Sequence, residues 1–203
     1  MATSLPFAQI ATGAPSPQAI AVTICDEDAA FAMTAHLIAS GHRRIGFIVG
    51  DCNQTASTLR LAGYRKALSE HGIEIDNQLI ASGDFSYRSG LDAAERLLEV
   101  IPAPTAVFAS NDDMAAAVIA VAHRRHLDVP GDLAVCGYDD TAMATTIWPE
   151  ITTVRQPIAA MARRATLMLS EQVRSGNNGA HAPRHEQLDF CIVRRASDAS
   201  AAN

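Results

Sequence analysis

Lysine is almost missing from this chain of 203 residues: Lys66 stands alone beside 15 arginines, a bias that genomic composition accounts for. Acidic residues outnumber basic ones, 22 to 16, for a net charge of −6. That balance excludes the basic face a nucleic-acid backbone needs. No C-x-x-C pair occurs among the four cysteines, Cys25, Cys52, Cys136 and Cys191. Cys25 and Cys136 lie in or beside apolar runs, where a reduced thiol packs as a small hydrophobe, and unpaired thiols point to the cytoplasm. No apolar run reaches the roughly 18 residues that would span a bilayer. The start, Met1-Ala2-Thr3-Ser4-Leu5-Pro6, has neither the basic beginning nor the apolar core of a secretory signal.

The familiar catalytic signatures are missing too. Without G-x-S-x-G there is no nucleophile elbow for a Ser–His–Asp hydrolase. No strand leads into G-x-G-x-x-G and no G-x-x-x-x-G-K-[ST] occurs, so a nucleotide cradle has no support. His123-Arg124-Arg125-His126 invites a metal reading, but cations in the last turn of a helix are what its dipole favours. No metal, cofactor or enzyme chemistry is expected.

What the chain does have is 48% apolar residues, enough for one large or two small domains, and strand-like runs that end in polar turns. Ile45–Val49 meets Gly50-Asp51-Cys52-Asn53, and Leu79–Ala81 meets Ser82-Gly83-Asp84-Phe85. Ala106–Ala109 meets Ser110-Asn111-Asp112, and Leu133–Cys136 meets Gly137-Tyr138-Asp139-Asp140. Helix-period sequence follows the first three, ending near Gly72, Pro102 and His126. Strand, turn and helix in repetition predict an α/β fold: a parallel sheet with helices on both faces. Ligands of such sheets bind outside the carboxyl ends of the strands, where these turns gather.

The flanks are less regular. Phe7–Ala11 and Ile20–Ile24 predict two short strands, and Asp26-Glu27-Asp28 opens a helix that Gly41 closes. Pro149 to Pro157 predicts an extended crossover between two lobes, followed by a helix from Ile158 that ends in Gly176-Asn177-Asn178-Gly179. Leu188–Val193 predicts a final edge strand, and Ser197–Asn203 a disordered tail. The flanking pieces supply too little to cover a second sheet.

In order along the chain, Gly41-His42-Arg43-Arg44-Ile45-Gly46, Arg60-Leu61-Ala62-Gly63-Tyr64, Pro104-Thr105-Ala106, Asn111-Asp112, Val129-Pro130-Gly131-Asp132 and Gly137-Tyr138-Asp139-Asp140 appear. Pro149 to Gln156 and Val193-Arg194-Arg195-Ala196-Ser197 follow. Over residues 20–197 this series resembles the LacI family of transcriptional regulators. The resemblance implies a periplasmic-binding-protein-like fold of two lobes that close on a small effector, usually a sugar, and control DNA binding of an intact dimer. The family's DNA-binding head and the first half of its N-terminal lobe have no counterpart, so a truncated effector-binding region is expected. Residues 1–41 and 157–182 would form a partial N-terminal lobe, 42–156 and 183–195 the C-terminal lobe, and 196–203 a tail.

Five residues are candidates for the ligand. Arg60 opens a helix, where a cation opposes the dipole, so helix stability does not explain it; its planar fork suits sugar hydroxyls. Asn111 suits both an N-cap and, by the resemblance, an effector contact. Asp139 offers a carboxylate acceptor, while Asp140 is expected to hold the turn and Asp112 and Asp113 to serve the helix dipole. Phe85 is either a ring for the apolar face of a pyranose or a core ring folded under its loop. Asp28 is either a helix cap or a contact from the opposite lobe, and Ile158 is expected in the core.

The resulting expectation is an effector-sensing domain, cytoplasmic, without a membrane segment, binding a small polar molecule. It would dimerise through the C-terminal lobe at Met114–Ile119 and Ile147-Trp148, and reach DNA only through the head. A solute-binding protein of a sugar transport system is the alternative, and an α/β enzyme lacks a nucleophile.

Overall fold

The computed structural model describes residues 6–17, 19–174 and 184–198. The expectations for Gly176–Gly179 and for residues 199–203 lie outside them. In chain order the elements are β1 (Ala8–Ile10), β2 (Ile20–Thr23), α1 (Asp26–Ala39), β3 (Ile45–Val49) and α2 (Thr55–Glu70). Next come β4 (Ile80–Ser82), α3 (Tyr87–Glu99), β5 (Ala106–Ala109), α4 (Asp112–Arg124), β6 (Ala134–Asp139) and α5 (Met143–Thr146). The last are β7 (Thr152–Arg155), α6 (Ile158–Arg174), β8 (His185–Gln187) and β9 (Cys191–Val193).

These elements form two compact units, Met1–Cys25 with Gln156–Phe190, and Asp26–Arg155 with Cys191–Asn203. The smaller holds a three-stranded sheet, β1-β2-β8, with both pairings parallel. Helix α6 packs on β1 and β2 through a narrow buried stripe, Met161, Ala165 and Met168.

The larger unit holds a six-stranded sheet in the order β4-β3-β5-β6-β7-β9, parallel except for β9 against β7. Its central strands β3, β5 and β6 are buried along nearly their whole length, as a sheet covered on both sides requires. Successive residues of β3 show the two covers. Gly46 faces α3, where an added Cβ would stand 3.2 Å from Leu97, while the Phe47 ring stacks on Tyr64 of α2 at 4.8 Å. Neighbouring strand residues point to opposite faces, so α2 and α3 lie on opposite sides. Helix α1 packs against α2 through Gly63, where a Cβ would come within 2.1 Å of the Glu27 carbonyl oxygen. Only glycine permits that approach.

Several expectations need correction. Helix α1, assigned on the sequence to the partial lobe, belongs to the larger unit because its buried face, including Met33 and Leu37, is spent on α2 and on the sheet. Thr152–Arg155 is no bare crossover: it is an interior strand of the larger sheet, and the chain changes unit after it. The expected last strand, Leu188–Val193, is an edge strand but shorter, Cys191–Val193 beside β7, and an unexpected strand before it, His185–Gln187, pairs with β2 in the smaller unit. Met114–Ile119, expected at a dimer surface, is buried in the core, whereas Trp148 is 79% exposed.

The expected tail is anchored at its start. Ser197 is fully buried; its hydroxyl accepts the Thr152 N–H at 2.9 Å and donates to the Val135 carbonyl. Asp198 accepts from Thr152 Oγ1 and pairs with His36 Nε2 of α1 at 2.6 Å. Burial would raise the Asp198 pKa, but the bonds from His36 and Thr152 bring it below its ordinary value. A buried hydroxyl with two backbone partners contrasts with Ser57, whose buried hydroxyl has no hydrogen-bond partner. Ser197→Ala should therefore cost about 1–3 kcal/mol by leaving those groups unsatisfied, while Ser57→Ala is neutral or stabilising. Urea unfolding of the two variants tests this, and equal costs would contradict the anchoring.

Candidate functional site

The strand order reverses at β3: the chain leaves it for β4 on one side and returns to β5 on the other. The turns after β3 and β5 therefore diverge, and open parallel sheets bind ligands at such a point. Arg60, in the second turn of α2, lies at this place and is only 5% exposed. Its Nε donates to Asp26 Oδ1 at 2.7 Å and its Nη1 to the Ser110 carbonyl at 2.6 Å. The guanidinium lies 3.6 Å over the Tyr138 ring, and Tyr138 Oη donates to the same Asp26 oxygen at 2.9 Å. Burial alone would lower the Arg60 pKa; Tyr138, Asp26 and Asp139 around it hold it above its ordinary value. Burial pushes the Tyr138 phenol far up, so it stays a donor.

Around this centre the structure gathers three more predicted residues. Asp139 Oδ1 lies 3.9 Å from Arg60 Nη2 with its side chain 28% exposed. The Phe85 ring centroid is 5.8 Å from the guanidinium carbon. Asn111 caps α4 by accepting the Met114 N–H at 3.0 Å and uses its amide to hold the Phe85 carbonyl at 2.8 Å. The cap leaves that amide to fix the loop carrying Phe85. Room for the ring comes from Gly50, where a Cβ would stand 2.0 Å from Phe85 Cζ. Phe85 and Asp139 both adopt left-handed backbone, φ 71° and 103°, costly for side chains of this kind.

Asp28 is exposed on the first turn of α1, and it is Asp26, two residues earlier, that reaches Arg60. Ile158, expected in the core, stands exposed at the start of α6 in the smaller unit. Asp140 holds its turn through Arg155 and Arg195. Asp112 does more than face a dipole. Fully buried, it accepts the Thr141 N–H at 2.6 Å and Thr153 Oγ1 at 2.6 Å, in space that Gly137 leaves open. Sequence reasoning missed Asp26, Tyr138 and Ser110. Asp26 carried a signal as one of three first-turn acids, and Tyr138 as part of Gly-Tyr-Asp-Asp; the Ser110 carbonyl carried none.

Residues 34–197 match the model of the periplasmic binding protein-like domain. The chain belongs to that family, in its LacI branch. It is 42% identical over 147 residues to catabolite control protein A of Priestia megaterium, covering 70% of this chain and 44% of the relative. It is 37% identical over 167 residues to the transcriptional repressor CytR of Escherichia coli K12, covering 82% and 49%. Among solved structures, the complex of the regulator CelR with cellobiose matches at TM-score 0.87 and 35% identity, covering 95% of this chain and 58% of that one. This LacI-family chain spans about half the length of the curated relatives it matches. No helix among the described residues is long and apolar enough to cross a membrane.

The buried Asp112 makes a pH prediction. Burial raises its pKa to about 6 from 3.8, against the lowering by Thr153 and Thr141. A carboxyl raised on folding adds stability that is whole below its unfolded pKa and lost as pH climbs through the folded one. Asp112→Asn, which cannot titrate, should gain on the natural chain by up to about 3 kcal/mol between about pH 4 and 7. Urea unfolding at both pH values reads the difference; one that does not change with pH would refute the raised carboxyl.

Proposed function

We propose that this chain is the effector-sensing part of a transcriptional regulator and that it takes up a small polar ligand, a sugar, at the carboxyl ends of β3 to β6. The observation that carries the reading is the pairing of strain with exposure. Phe85 and Asp139 keep left-handed backbone on either side of a buried, already neutralised arginine. Such strain persists where surrounding structure over-determines it, and it clusters at ligand sites. The groups suit a sugar: Asp139 accepts from hydroxyls, the guanidinium edge donates to them, and the Phe85 ring offers an apolar surface. A relative solved with cellobiose, 35% identical to this chain, supports that choice.

The curated relatives are named regulators and repressors, which supports a regulator over a transport protein; its working compartment would be the cytoplasm. DNA contact falls to another part of the protein, since these two units carry an acidic balance. The intact regulator acts as a homodimer built on the larger unit, with Trp148 rather than Met114–Ile119 at the contact.

Binding is tested by a thermal-shift screen of the chain against mono- and disaccharides, nucleosides and purines, followed by calorimetry. Arg60→Ala is a poor control, because it strands a buried carboxylate at a cost of about 3–5 kcal/mol. Asp139→Asn keeps the fold and should weaken sugar binding about tenfold or more, the worth of one charge-assisted hydrogen bond. Phe85→Ala should weaken it several-fold. A screen in which no sugar raises the melting temperature would overturn the reading for this chain.

A further inference from the structure

We infer that the strand-end site is a charge filter, admitting uncharged polyhydroxylated effectors and turning away their phosphorylated counterparts. The inference rests on the effector-site reading and adds a class of ligand to it. Its basis is the balance of charge at one end of the larger sheet. The turns and first helical turns after β3, β4 and β5 carry Asp51, Asp84 and Asp113, and β6 ends on Asp139, each exposed or half-buried. Asp51 and Asp84 accept backbone N–H groups of their own turns, from Asn53 at 2.8 Å and Ser86 at 2.9 Å. Those bonds shape the turns and leave the charges in place. The bonds from Ser86 and Ser89 hold the Asp84 carboxyl down to about 2, so it is ionised at every working pH.

Most cations of this end already face carboxylates. Arg60 answers Asp26 at 2.7 Å inside the core and lies 3.9 Å from Asp139. Arg155 pairs with Asp140, and Arg195 with Asp140 and, at 3.8 Å, with Glu150. Arg88, exposed in the first turn of α3, is one cation set against Asp51, Asp84 and Asp113. The amino end of α2 is the other positive feature, since Gln54 makes no side-chain cap and no acid sits in its first turn. A helix end amounts to about half a unit charge that fades within a turn. At α4, Asn111 caps the helix and Asp112 and Asp113 already face the dipole; at α3, Ser86 caps the helix. The field over the site is therefore negative.

Chemistry of the contacts points the same way. A sugar hydroxyl donates to Asp139 and accepts from Arg60. A phosphate near neutral pH brings mainly acceptors, so it would set acceptor against acceptor at Asp139. Discrimination then comes from repulsion of the wrong ligand as well as attraction of the right one.

The test has two arms. Calorimetry compares matched pairs, a monosaccharide with its phosphate monoester and a nucleoside with its monophosphate. In each pair that binds, the neutral member should be at least about tenfold tighter, with the gap shrinking at high salt and in Asp139→Asn. A phosphorylated member that binds as tightly as its neutral partner overturns the filter. The second arm needs no ligand. Cys52 is exposed on the turn after β3 and Cys136 is buried, so in a Cys25→Ser, Cys191→Ser background Cys52 is the reporting thiol. Anionic dithionitrobenzoate should react about three- to tenfold more slowly than neutral dithiodipyridine, each relative to a model cysteine peptide. Asp84→Asn and Asp139→Asn should both narrow that ratio. Equal relative rates overturn the filter. If no pair binds at all, the effector reading is what fails, and the thiol rates still judge the field.

Discussion

A guanidinium buried inside a parallel sheet protein is costly, by several kcal/mol if it stands unpaired. The larger unit is arranged around satisfying Arg60. Its partners come from three places far apart in sequence: Asp26 at the start of α1, the Ser110 carbonyl after β5, and the face of Tyr138 on β6. Because Tyr138 also donates to Asp26, those two are tied to each other as well as to the arginine. Moving α1 or β6 along its axis would break two of these contacts at once.

The rim above that centre follows from it. With Arg60 anchored, Asp139 is held close to its outer nitrogen and takes up a backbone conformation it would otherwise avoid. Phe85 does the same one strand-turn away, kept in place by the Asn111 amide and by the empty side of Gly50. Stability and the proposed site thus draw on the same residues. Asn111 caps a helix and fixes a loop; Asp112 sits under the turn after β6 and holds both Thr141 and Thr153. Under the proposed function such a rim stands ready before the ligand arrives, since ordering it afterwards would subtract from affinity.

Much of this was legible in the sequence because the strands are apolar on both faces and every turn between them is polar. That contrast gave the alternation of β3 to β6 with α2 to α4, and the turns gave Arg60, Phe85, Asn111 and Asp139. What stayed hidden depends on three-dimensional position. Helix α1 carries apolar residues that must be buried, but its pattern does not say that they pack against α2. Asp26 and Asp28 look alike as first-turn acids, and only the direction of one turn decides which meets Arg60. His185-Glu186-Gln187 has no apolar residue to mark a strand; it is one through backbone pairing with β2 alone. Ser197 and Asp198 read as tail by composition, yet their hydrogen bonds to Val135, Thr152 and His36 bury them.

The central claim is that Asp26 and Arg60 stabilise the larger unit as a pair and not as separate contributions. A double-mutant cycle with Asp26→Asn and Arg60→Gln, followed by urea unfolding, measures this directly. Each single variant should lose about 3 kcal/mol or more, because it leaves the other charge buried and unanswered. The double variant should lose far less than the two losses combined, giving a coupling of at least about 2 kcal/mol. Losses that add to within about 0.5 kcal/mol would contradict the account and remove the arginine from the centre of the fold.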